Sequence, residues 1–68
     1  MKLDERKLQM ALANKGMLLK DLCREAKIGE IALRNIRQGK SAPRPATLGK
    51  IALALDVNVK DLIEEAGD

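Results

Sequence analysis

A chain of 68 residues with a net charge of +3 has the material for one domain, spanning residues 1–68, because a chain this short buries only about 60% of its unfolded surface. It contains no His, one Cys (Cys23), one Ser (Ser41) and one Thr (Thr47). It therefore cannot build a Ser-His-Asp or Cys-His nucleophile, a zinc site or a disulfide, and an enzyme is not expected.

The apolar residues are mainly Leu, Ala and Ile, with no Phe, Tyr or Trp. Leu, Ala, Met, Lys, Arg, Glu and Gln favour helices and the strand formers are scarce, so the expected class is all-α with an aliphatic core. Asp4 is placed to cap a first helix over 4–15, with Leu8, Ala11 and Leu12 on one stripe and Gly16 as its left-handed end. A second helix over 18–26 puts Leu19, Leu22, Cys23 and Ala26 on one face, with Asp21 near its positive end. Lys27, Ile28 and Gly29 form the break.

The third helix, 30–38, stops at Gly39. At 100° per residue Ala32, Leu33 and Ile36 cluster on one side, Ile31, Arg34, Asn35 and Gln38 fall opposite, and Glu30 and Arg37 lie at the border. Residues 39–45 read as a loop, since each proline pushes its predecessor out of the helical region and holds Arg44 extended. Pro45 suits the first turn of a fourth helix with the stripe Leu48, Ile51, Ala52 and Leu55. Asn58 then reads as the cap of a fifth helix, with Asp61 at its third position and Val57 placed to staple against Leu62.

The charge is unevenly spread. Residues 1–40 hold ten Lys and Arg against five Asp and Glu, and residues 41–68 hold three against five. Between 27 and 50, Lys27, Arg34, Arg37, Lys40, Arg44 and Lys50 face Glu30 alone. Such a segment implies an anion-binding face, with nucleic acid as the partner. The longest apolar run, Ile51 to Leu55, is far below the roughly 20 residues of a membrane span. The N-terminal residues lack the apolar stretch of a signal peptide, so a cytoplasmic location is expected.

Two short helices joined by about three residues, the second with a free polar face beside basic residues, describe a helix-turn-helix. The pattern Lys15-Gly16-Met17, Asp21-Leu22-Cys23, Ile36 with Gly39-Lys40, Thr47 through Val57, and Asp61-Leu62 resembles the Cro/C1-type helix-turn-helix family of phage repressors and bacterial transcriptional regulators. The resemblance covers residues 8–62. It implies a compact five-helix, lambda-repressor-like bundle, operator binding as a homodimer, helix three on base edges and nearby loops on phosphates.

The chain departs from that pattern at four places. Leu19 stands where the family usually has a phosphate-contacting Gln, Leu18 where it has a Ser or Thr cap, and Lys27 where it has the turn glycine. The positions of a frequent Arg–Glu pair between helices one and three are here Leu12 and Arg37, which leaves Arg37 unpaired in this reading and open to an anion.

Hydrogen-bond geometry then assigns base preferences: Arg34 to guanine, Asn35 to adenine, Ile31 to the thymine methyl, and Glu30 either to cytosine N4 or to the exclusion of wrong sites. Lys40, Ser41 and Arg44 are the first phosphate candidates, with Lys20, Lys27 and Arg37 beside them. Val57, Val59, Leu62 and Ile63 offer more aliphatic surface than a final short helix needs and are the candidate dimer contact. Cys23 reads as a small core residue and Met17 as a gap filler.

The expected function is sequence-specific binding of double-stranded DNA at a near-palindromic operator, with repression by occupancy. No metal, cofactor or small-molecule ligand is expected. The alternative, motivated by Leu18, Leu19 and Ile31, is an adaptor or antitoxin-like interaction module that keeps the fold with weak DNA affinity. Binding to an acidic membrane surface fits poorly, because the basic residues gather around a turn and a loop and not along one amphipathic helix.

Overall fold

The computed structural model describes residues 2–64 and is helical. Helix α1 (Glu5–Lys15) begins where the Asp4 carboxylate accepts the backbone N–H groups of Arg6 at 2.9 Å and Lys7 at 3.2 Å. It ends at Gly16, whose φ of 61° is the left-handed conformation that lets its N–H turn back onto the last carbonyls. Leu8, Ala11 and Leu12 are buried, as the stripe predicts.

Helix α2 (Leu19–Ala26) buries Leu22, Cys23 and Ala26, and Leu19 is half-buried. Leu18 at its N-cap has no side-chain acceptor, but Asp21 compensates in part: its carboxylate accepts the Leu18 N–H at 3.1 Å and also pairs with Arg24 at 2.9 Å. The helix stops at Lys27, held at φ 58° and ψ 47°. The sequence departure at this turn thus keeps a left-handed backbone without the glycine, a strain of roughly 1–2 kcal/mol. Helix α3 (Glu30–Arg37) follows after Ile28 and Gly29.

Helix α4 (Pro45–Leu55) starts on its proline and ends at Asp56, also left-handed at φ 56°. It is the central element, touching α1, α2 and the turn that follows it, and Leu48, Ile51, Ala52 and Leu55 are all buried. Together Leu8, Leu22, Leu48, Ile51, Leu55 and Leu62 form the fully buried centre. Each such side chain contributes about 1.5–3 kcal/mol through burial.

The expected fifth helix is a single 3-10 turn, Val59–Asp61, so the described residues contain four α-helices and not five. Asp61 does accept the Asn58 N–H at 3.2 Å, the back half of a capping box, but the Asn58 side chain makes no cap bond. The backbone beyond it is committed elsewhere. Leu3 and Ile63 form an antiparallel bridge, Asp4 N–H donates to the Leu62 carbonyl and Glu64 N–H to the Lys2 carbonyl, both at 2.8 Å. Carbonyls and amides spent on this bridge are not available to an α-helical ladder. The same bridge buries Leu3, which carries no helical signal.

Candidate nucleic-acid interface

In the α2–turn–α3 unit, α3 has only a narrow packed stripe. Leu33 is buried and Ile36 half-buried, whereas Ala32, expected on the packed side, is exposed. Elsewhere on α3 Glu30 and Arg34 are exposed, Ile31 is 70% exposed, and Asn35 and Arg37 are half-buried. A groove between α2 and α3 brings Glu30, Arg34 and Arg37 together with Leu19, Cys23 and Leu33. Three of the six side chains lining it are charged.

The loop after α3 is folded back on the helix. Gly39, at φ 77°, turns the chain so that the Asn35 carbonyl accepts the N–H groups of Lys40 at 2.9 Å and Ser41 at 3.3 Å. Pro43 is buried, in a recess it lines with Leu3 and Ile36, which fixes the loop to the body of the protein. Lys40, Ser41 and Arg44 are exposed, and Arg44 is the extended N-cap of α4, as its position between two prolines predicts. The candidate phosphate contacts Lys40 and Ser41 are thereby tied to the end of α3 by backbone bonds.

Lys20 is exposed in the first turn of α2. Lys27 is exposed too, but it shares a different groove, lined also by Lys50 and the 84% exposed Leu53, between α2 and α4. The basic residues between 27 and 50 therefore divide between two grooves and the loop.

One expectation is corrected outright. Arg37 is not unpaired: its Nε donates to Glu5 Oε1 at 2.9 Å and its Nη2 to Glu5 Oε2 at 2.8 Å. Helices one and three are joined by an ion pair of reversed polarity, with the acid on α1 and the guanidinium on α3. The Arg37 hydrogen bond, aided by its charge and by a bond from Gln9, holds the Glu5 carboxyl below its ordinary range against the opposing effect of burial. The same bond raises Arg37. Sequence spacing concealed this partner because Glu5 is the first residue of α1, 32 residues from Arg37 and seven positions before Leu12, the residue at the family's usual partner position. An acid in the first turn already has a local explanation in the helix dipole.

The candidate dimer contact is also revised. Leu62 is fully buried in the core, so in this conformation it offers no surface. Val57, Val59 and Ile63 are half-buried and pack against the core from outside. Cys23 is a buried free thiol, pushed up from its ordinary pKa by desolvation and then by the Glu30 carboxylate.

Among the described residues no group of three or more His, Cys, Asp or Glu could hold a metal ion, and no helix is long and apolar enough to cross a membrane. The comparison with curated proteins gives no match. A family model for the Cro/C1-type HTH DNA-binding domain matches residues 7–65, which takes in α1, both arms of the helix-turn-helix, α4 and the 3-10 turn. With the fold, the open face of α3 and a match over most of its length, the chain belongs to the Cro/C1-type helix-turn-helix DNA-binding family.

Proposed function

We propose that this protein binds double-stranded DNA sequence-specifically as a homodimer and represses transcription in the cytoplasm by occupying a near-palindromic operator. The observation that carries the reading is the α3 surface. Ile31 and Asn35 lie on the side of α3 away from buried Leu33, exposed Glu30 and Arg34 border the α2–α3 groove beside it, and the loop bearing Lys40 and Ser41 is hydrogen-bonded to the helix end.

In this reading Arg34 pairs with guanine O6 and N7, Asn35 with adenine N6 and N7, and Ile31 meets a thymine methyl. Glu30 accepts from cytosine N4 or excludes phosphate-close registers. Lys20, Lys27, Lys40, Ser41 and Arg44 engage the backbone and set the register. Two protomers, meeting through Val57, Val59 and Ile63, present their α3 helices to half-sites about 34 Å apart.

A second reading, a protein-interaction adaptor, is favoured by the apolar exposure of Leu18 at 61% and Ile31 at 70%. Selection of duplexes from a random pool by the purified protein, at near-physiological salt, separates the two. Recovery of a two-fold symmetric consensus supports operator binding. Recovery of no consensus, with weak and sequence-blind binding, favours the adaptor.

A further inference from the structure

The Glu5–Arg37 pair bridges the body of the protein and the helix proposed to read DNA. Arg37 is the last residue of α3 and lines the α2–α3 groove with Arg34 and Glu30. Leu19, the first residue of α2, lies in the same groove, and no side chain caps that helix with an acceptor at Leu18. A helix N-terminus and a guanidinium beside it are together suited to a DNA phosphate. Arg37 faces that place, yet a carboxylate already grips two edges of its fork, and carboxylate and phosphate compete for the same bidentate geometry.

We propose that Glu5 is a specificity-determining positioning residue, which withholds the Arg37 charge from the DNA backbone and thereby lowers sequence-blind affinity. The proposal rests on the reading of α3 as the recognition helix. Two effects follow from the geometry. A phosphate approaching Arg37 meets a neutral pair, so little counterion release is gained there. Arg34 and Arg37 are also three residues apart on one helix, where like charges repel. Neutralising Arg37 from α1 leaves Arg34, which shares the groove with Glu30, as the guanidinium of α3 directed at bases, without a second one beside it competing for backbone phosphates.

The test is fluorescence anisotropy with the full chain, on a random-sequence duplex and on a duplex the protein has selected, between 50 and 200 mM salt. Glu5→Gln is expected to steepen the slope of log K against log salt by about 0.9 per protomer, which is roughly 3-fold more affinity lost over that range. It should tighten binding to the random duplex and reduce the ratio of selected to random affinity. Arg37→Met in the Glu5→Gln background removes both charges and should restore the wild-type slope.

An unchanged slope in Glu5→Gln overturns the proposal, and so does an equal loss of affinity for both duplexes at constant slope, the outcome of a purely structural pair. A slope shallower than the wild type's by about 0.9 in the double variant overturns it too, because Arg37 is then already a phosphate contact. Melting followed by circular dichroism establishes that each variant is folded; if Glu5→Gln is not, the double variant, which leaves neither charge unpaired, decides by its slope. Failure of the wild type to bind either duplex removes the DNA reading itself, and this inference with it, and is distinguished by being visible before any variant is made.

Discussion

Glu5 and Arg37, the first residue of α1 and the last of α3, are joined by N–H to carboxylate bonds of 2.8 and 2.9 Å, with a third at 3.3 Å. The side chains are 42% and 30% exposed, so solvent screens the pair and it contributes about 0.5–1 kcal/mol. Because the Glu5 carboxyl is held below its ordinary value, its contribution is fully present above the unfolded carboxylate pKa of roughly 4.3 and is lost as pH falls through the folded value. Urea midpoints of the wild type and Glu5→Gln should therefore differ at neutral pH and converge in acid. A difference that persists unchanged under acid conditions contradicts this account.

Lys27 is held at φ 58°. Lys27→Gly should relieve the left-handed strain and, after the entropy that glycine adds to the unfolded chain, raise stability by about 0.5–1 kcal/mol in chemical denaturation. If Lys27 also contacts phosphate, the same variant binds DNA with a slope shallower by about 0.9. Stability and affinity should move in opposite directions.

The start of α2 is supported only from its third position, where Asp21 accepts the Leu18 N–H. Leu18→Ser supplies the missing acceptor and should stabilise the protein by about 1 kcal/mol. Asp21→Ala should cost a similar amount, since it removes the backbone acceptor and the exposed pair with Arg24. Thermal melts of the two variants check both signs.

Leu62 separates core from surface at the C-terminal end. Leu62→Ala should destabilise the monomer by about 2–5 kcal/mol, the range for truncating a buried leucine. Val59→Ala, at a half-buried position, should cost less. If Leu62→Ala leaves the melting temperature unchanged and alters only the oligomeric state, the placement of Leu62 in the core is wrong.

Local chemistry made much of this fold readable. Asp4, Gly16, Lys27, Pro45 and Asp56 mark boundaries because caps, left-handed turns and proline act within one helical turn, and Leu8, Leu22, Leu48, Ile51 and Leu55 announce the core by spacing. The misreadings are non-local. The Leu3–Ile63 bridge diverts backbone groups that would extend a fifth helix, and it joins residues 60 positions apart with no periodic signal. Ala32 is exposed because α3 packs along a narrower stripe than a helical wheel implies. Glu5 and Arg37 find each other only once α1 and α3 are assembled, so the candidate site was legible in its open face and not in the pair that flanks it.

The central claim is that α3 reads base edges through Arg34 and Asn35. The most direct measurement is the affinity of Arg34→Ala and Asn35→Ala for the selected duplex and for duplexes altered one base pair at a time. The account predicts a loss of about 1–3 kcal/mol of discrimination per variant, confined to one base pair in each half-site, with the salt slope on Asn35→Ala unchanged. Equal affinity of both variants and the wild type for every duplex would contradict it.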